Sequence, residues 1–320
     1  MYPTPAGLKV KAAVVIPAYK VSKHIVDVVR SIPTEIDFII VVDDACPEKS
    51  GEILTNSKVS KKVTIISHAV NLGVGGAMKS GYLAALELGA QVIVKIDGDG
   101  QMDSSHIPNL IKPILHGESD YTKGNRFYSL NLVREMPKIR LIGNVVLSFM
   151  SKLSTGFYHL FDPNNGFTAV SSEALALMEL ASIDDRYFFE SDMLYQLNAT
   201  GMRALDVPMP AIYRDEVSNL RIGHSIFYFF PRHIRNTCKR ITLNYFVRDF
   251  SVATLQLVAG LILGIWGSSV GLTTWIHSKN SGIPSQPGTI VLVAILCITG
   301  LQLLLSFISY DISLNRRDKS

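Results

Sequence analysis

Asp97 and Asp99 stand one glycine apart in "VIVKIDGDGQMD", Val92 to Asp103, at the point where an apolar run stops. Two carboxylates that close repel each other unless positive charge lies beside them. A hard divalent cation such as Mg2+ or Mn2+ answers that need, because it prefers oxygen ligands and takes one or two carboxylates together with substrate phosphates. A cation held there would bridge a diphosphate and offset the charge that builds on a phosphate leaving group. The same two residues in a solvated turn would do nothing, so the reading depends on what surrounds them.

Three other apolar runs also end in polar or turn residues. "KAAVVI" ends in Pro17-Ala18-Tyr19, "DFIIVV" in Asp43-Asp44, and "KVTIIS" runs on to the Asn71–Gly76 stretch. These β-rich runs predict strands, as does "QVIVKIDGD". The segments "SKHIVDVVRSI" and "GGAMKSGYLAALELG" carry apolar residues at helical spacing, and the second is expected to stop at Gly89. Alternating strands and helices predict an α/β domain with a mostly parallel sheet. Ligands of such sheets sit at the carboxyl ends of the strands, so four segments are expected to converge on one rim. Set there, the aspartate pair suits the departure of a nucleoside diphosphate, the chemistry of glycosyl transfer.

The glycines at 73, 75 and 76 imitate a dinucleotide fingerprint, but its third glycine would fall on Met78, and the stretch follows the third strand rather than the first. They are expected to start a helix and to allow close backbone approach to a ligand.

Of the 320 residues 48% are hydrophobic and 18% charged, too apolar for an ordinary soluble enzyme. The excess lies at the C-terminus, where 251–276 and 289–310 are uncharged and each exceeds the roughly 20 residues that span a bilayer. Cations in "PRHIRNTCKR" before the first run and "NRRDK" after the second place both flanks in the cytoplasm, with the Lys279 loop outside. Between the two parts, Phe227–Phe230 mix with Arg232, Arg235, Lys239 and Arg240, a pattern expected of a helix lying among anionic headgroups. The division expected is 1–220 catalytic, 221–249 juxtamembrane, 250–312 membrane hairpin and 313–320 cytosolic tail. A net charge of +4 makes no case for nucleic acid. Cys46, Cys238 and Cys297 lie far apart and read as free thiols, and no cleavable signal peptide is expected.

"VVIPAYK", "IIVVDDACPEKSGE", "NLGVGGAMKSGY", "VIVKIDGDGQMD", "YTKGNRF" and "DPNNGFTAV", in that order, resemble family-2 glycosyltransferases of the GT-A fold. With the C-terminal hairpin, the order is similar to the polyprenyl-phosphate hexosyltransferases. The resemblance implies inverting, metal-dependent transfer of a hexose-type sugar from a UDP- or GDP-linked donor to undecaprenyl or dolichyl phosphate. It implies that Pro17, Ala18, Tyr19 and Asp44 hold the nucleoside, and that Asp97, Gly98, Asp99 and Gln101 form the metal and diphosphate motif. It further implies that Arg126 and Arg140 meet the lipid phosphate, and Arg214 lies in a segment able to join them. Asp162 and Glu190 fall beside the sugar site and are expected to position substrate, since a phosphate acceptor is already ionised. The QxxRW motif of processive synthases is absent. A non-processive transferase to a lipid-linked oligosaccharide or other membrane acceptor remains the alternative, and the sugar, the nucleotide and any homo-oligomer remain open.

Overall fold

The computed structural model describes residues 2–3, 9–57, 59, 61, 63–126, 138–161, 165–210 and 222–317. They form two compact units, Met1–Thr237 and Cys238–Ser320.

In the first unit the four apolar runs are strands β1 (Ala12–Ala18), β2 (Phe38–Asp43), β3 (Val63–Ser67) and β4 (Val92–Lys95). Three more follow: β5 (Tyr121–Asn125), β6 (Thr168–Ser171) and β7 (Ala204–Pro208). The seven-stranded sheet has the order β3-β2-β1-β4-β6-β5-β7. The β1/β2, β2/β3, β1/β4 and β5/β7 pairs are parallel, and β6 runs antiparallel to both neighbours. Because β1 to β4 are parallel, their carboxyl ends share one edge, as expected.

Alternation assigns the two faces. Val14, Ile16, Val41, Val92 and Val94 meet α1 (Ile25–Ser31), α2 (Ser50–Asn56) and α4 (Ile107–Leu115). Ala13, Val15, Ile40 and Ile93 meet α3 (Val74–Glu87), α6 (Ser172–Leu177) and α7 (Phe189–Ala199). The α3 helix ends as read, with Gly89 at φ +76 donating to Leu86 O.

Helix α5 (Lys138–Thr155) and the first part of α8 (Ile222–Thr242) complete this unit. Here two cations of the expected juxtamembrane segment are paired within the protein. Arg232 Nε donates to Asp184 Oδ2 at 3.1 Å, and Arg235 donates to both Asp192 oxygens at 3.1 and 3.3 Å. Asn236 Nδ2 reaches Asp192 Oδ1 at 2.6 Å, and Phe229 is buried with Leu147 and Phe188. The mixture of rings and cations fits α8 against α5 and α7, so the compact unit runs to Thr237 rather than stopping near 220.

His233 is buried on this face, with Nδ1 2.7 Å from Ser154 Oγ and its ring edge-on to Phe188. Burial lowers its pKa to about 4. The unfolded chain takes up a proton near the ordinary value of 6.5 that the folded chain refuses. The stability from neutral His233 is therefore complete above about pH 6.5 and lost as pH falls toward about 4, amounting to about 3 kcal/mol. Thermal melts of the detergent-solubilised chain should drop across that window, and the drop should shrink in His233→Asn.

The second unit holds α9 (Val252–Ser281) and α10 (Pro287–Arg317). Both are long and apolar enough to cross a membrane, and on the loop side they outrun the predicted spans, to Gly282, which at φ +68 stops one, and from Pro287, which opens the other. Their close packing uses glycine: a Cβ on Gly260 would lie 3.1 Å from Gly300 O, and one on Gly267 2.9 Å from Cys297 Sγ. A π-helical turn, Leu243–Arg248, precedes α9. Arg240 donates to both oxygens of Asp311 at 2.8 and 2.7 Å, and Tyr245 Oη to Asp311 Oδ1 at 2.7 Å. Arg240 is thus also paired within the protein, while Lys239 stays exposed.

Candidate functional site at the strand ends

The rim is built by strand ends that fasten one another. Asp44 N donates to Ala18 O, and Lys20 N to Cys46 Sγ, tying the turns after β1 and β2. Lys20 and Ala45 hold φ of +57 and +52, conformations that side chains avoid and that cluster at functional edges. Asp43 accepts from Cys46 N at 2.8 Å and Gly51 N at 2.7 Å, seating α2. Of the predicted nucleoside segment, Ala18 is fully buried, whereas Tyr19 is exposed with the Lys20 ammonium 5.4 Å from its ring centroid. Gly98 packs on Pro17: a Cβ there would lie 3.3 Å from Pro17 O and 3.0 Å from Val21.

Asp44 reaches the rim, but its carboxylate is taken up inside the protein. Oδ1 accepts from Leu72 N at 2.9 Å and from His68 Nδ1 at 2.7 Å, and Oδ2 accepts from Gly73 N at 2.7 Å. With its side chain 3% exposed, it braces the Asn71–Gly73 loop behind the rim. The expectation for the glycines of that loop is corrected. Gly76 N donates to Asp185 O, and a Cβ on Gly75 would overlap Asp184 O. The close backbone approach they permit is to the chain's own 184–185 segment, which fills the start of α3.

The aspartate pair lies where β4 ends. Asp97 and Asp99 are both partly exposed, and Asp99 Oδ1 accepts from Gln101 N at 3.0 Å, folding the turn back on itself. Glu190, in the first turn of α7, comes to the same place, and one buried side chain joins it to Asp97. Lys95 Nζ lies 2.6 Å from Asp97 Oδ1, 3.4 Å from Glu190 Oε1 and 3.1 Å from Gly166 O. Burial alone would push this ammonium down, but the carboxylates of Asp97 and Glu190 outweigh that and hold its pKa above the usual lysine value. The sequence reading missed Lys95, although a lysine alternating with Ile93 and Asp97 in a strand was the signal for it. Asp192, two residues from Glu190, faces away and holds α8.

Among the described residues no three His, Cys, Asp or Glu side chains gather as a ready metal cage. That donor set fits Mg2+ or Mn2+ held by Asp97, Asp99 and the Gln101 amide, with phosphate oxygens completing the shell, and it does not fit a metal that needs an all-protein cage. Arg126 follows β5 and is partly buried. Asp162 and Arg214 lie outside the described residues, as does the side chain of Arg140.

The profile of glycosyl transferase family 2 matches residues 13–181, from the first strand through the carboxylate rim and on past α6. The chain belongs to glycosyl transferase family 2. This glycosyltransferase is 32% identical over 232 residues to the UDP-N-acetylglucosamine–dolichyl-phosphate N-acetylglucosaminyltransferase of Methanococcus voltae, covering 67% of this chain and 92% of that one. It is 26% identical to the undecaprenyl-phosphate mannosyltransferase of Micrococcus luteus, covering 55% and 72% of the two chains. Among solved structures, glucosyl-3-phosphoglycerate synthase of Mycobacterium tuberculosis, in complex with Mn2+, UDP and phosphoglyceric acid, superposes with a TM-score of 0.53. At 16% identity over 72% of this glycosyltransferase and 78% of that chain, the likeness is one of GT-A fold.

Proposed function

We propose that this glycosyltransferase moves a hexose-type sugar from a UDP- or GDP-linked donor to a polyprenyl phosphate, with inversion at the anomeric carbon. The observation that carries the reading is the Asp97–Asp99 pair at the carboxyl end of β4, with Glu190 brought to Asp97 through Lys95, in a chain that also has two helices of bilayer length. Relatives whose names specify dolichyl or undecaprenyl phosphate support the acceptor.

In this reading Pro17, Ala18 and Tyr19 form the nucleoside wall, and Asp44 keeps the neighbouring loop in place. Asp97, Asp99 and Gln101 would hold Mg2+ or Mn2+ beside the donor diphosphate. The bound cation supplies charge stabilisation on the departing nucleoside diphosphate. Glu190 orients the sugar, and Asp162 joins it. Arg126, Arg140 and Arg214 receive the lipid phosphate, a task suited to a guanidinium that stays charged and binds two oxygens at once. The phosphate oxygen is ionised at neutral pH, so in-line placement and electrostatic stabilisation supply the rate rather than a general base. Helices α9 and α10 span the membrane, with the catalytic unit and C-terminus cytosolic. Pairing of Arg240 leaves that orientation standing, because the rule counts Lys and Arg near the span and gives acidic residues little weight.

The test is an assay of the full chain in detergent with Mg2+ or Mn2+, offered UDP- and GDP-sugars, UDP-N-acetylglucosamine among them, with and without undecaprenyl or dolichyl phosphate. Label entering an acid-labile, organic-extractable lipid is the expected result. Donor binding with no label in either lipid phosphate would overturn the acceptor and favour a lipid-linked oligosaccharide.

A further inference from the structure

Lys95 is 1% exposed and sits in the middle of the sheet, paired in register with Val15 of β1 and Thr168 of β6. Burying an ammonium costs several kcal/mol unless its partners are well placed, and an aliphatic residue like its neighbour Ile93 would pack there without that cost. The partners are well placed. The ammonium donates to Asp97 Oδ1 and Gly166 O, and Glu190 Oε1 adds an ion-pair contact at 3.4 Å. The Phe189 ring, 5.7 Å from Nζ at its centroid, closes another side.

Gly166 marks the point of convergence. A Cβ there would overlap Lys95 Nζ and lie 2.9 Å from Asp97 Oδ2 and 3.2 Å from Glu190 Oε1. The lysine and both carboxylates therefore occupy the space a side chain at 166 would need. Meanwhile Asp97 and Glu190 keep 32% and 18% of their side chains exposed, so each is gripped from below and open above.

We propose that Lys95 is a positioning residue of the transfer site: it ties Asp97 and Glu190 into one fixed pair and cancels one of the three carboxylate charges that face the donor diphosphate. The proposal rests on the reading of the rim as the sugar-nucleotide site. With Lys95 in place, Asp97, Asp99 and Glu190 present a net charge that one divalent cation balances. Without it the site holds an uncompensated carboxylate, and Glu190 loses the contact that fixes its direction.

The test uses Lys95→Met, which keeps an unbranched apolar stem of similar length. Two readouts are taken on the full chain in detergent. In steady-state transfer, kcat should fall about 100-fold while KM for the sugar nucleotide stays within about threefold, since orientation rather than binding is lost. In a titration of Mn2+ with UDP and no lipid, followed by the EPR signal of free Mn2+, the variant should bind the ion about tenfold more tightly, because a nearby positive charge is gone. A lysine that merely packed would leave Mn2+ binding unchanged or weaken it along with UDP, and either result in a folded variant overturns the proposal, as does unchanged kcat.

If Lys95→Met fails to fold, Gly166→Ala takes its place, keeping every charge but pushing the cluster apart. A kcat at least about tenfold lower with Mn2+ affinity within about threefold is expected there, and wild-type kcat would overturn the proposal. Should the wild-type chain itself transfer no sugar to lipid, the proposed function fails. The Mn2+–UDP titration of wild type against Lys95→Met still decides the role of Lys95.

Discussion

Asp99→Ala is expected to lower sugar transfer roughly 100- to 1000-fold at saturating Mg2+ or Mn2+, since loss of several kcal/mol of charge stabilisation costs a factor of ten per about 1.4 kcal/mol. The residue stands at the open end of β4, partly exposed, and accepts from the backbone of Gln101. Its loss should leave the cores on both sheet faces intact, because Asp99 belongs to neither. Circular dichroism and melting temperature should therefore stay near wild type while Mn2+-dependent UDP binding weakens at least about tenfold, within the range a lost metal contact costs. Asp97→Ala is expected to behave differently. It also removes the partner of Lys95, whose ammonium is 1% exposed, so it should lose stability as well as activity. Transfer by Asp99→Ala within a few-fold of wild type would take the residue out of the diphosphate site.

The half of the sheet that bears the aspartate pair was legible because its strands are apolar and bounded by turn residues. Strands β1, β2, β3 and β4 follow one another with helices between, so periodicity and punctuation agree. The other half was not. Strand β6 has only Thr168–Ser171, and β5 reads Tyr-Thr-Lys-Gly-Asn, with Thr122 and Lys123 buried although their types belong on a surface. Nothing local marks β6 as running antiparallel between β4 and β5. That placement is fixed by pairing Thr168 with Lys95 on one side and Lys123 on the other, contacts that span tens of residues.

The same limit divides the site. Asp97 and Asp99 were chosen by residue type and local setting, Glu190 by resemblance to the family, and the fold brings Asp97 and Glu190 to one buried lysine. Asp44 was chosen in the same way, yet its carboxylate serves the His68 to Gly73 segment, because backbone N–H groups of a loop crossing the strand end reach it first. The arginines of α8 show the limit most directly. Arg232 and Arg235 look alike whether they face phospholipid or protein carboxylate, and their partners Asp184 and Asp192 lie more than forty residues away in the chain. Composition of one helix cannot tell those surfaces apart; the partner helix decides.

Asp311→Ala should cost the second unit about 3–5 kcal/mol, the usual effect of stranding one member of a buried ion pair. Arg240 and Asp311 have side chains 3% and 7% exposed and share two hydrogen bonds, and Tyr245 Oη gives a third to the same carboxylate. Removing the acid takes two hydrogen bonds from a buried guanidinium and one from a phenol beside the turn that opens α9. Tyr245 is tied into that turn by Thr254 Oγ1, which donates to Tyr245 O at 2.8 Å, so the damage should spread to the start of the helix. Replacing both charges with apolar residues, Arg240→Met with Asp311→Leu, should recover most of the loss, because the pair's own desolvation cost disappears with it. Limited proteolysis and denaturant titration in mild detergent measure both variants. A single variant as stable as wild type would mean that the pair contributes nothing net. A double variant no better than the single would assign the loss to packing of the π-turn rather than to stranded charge.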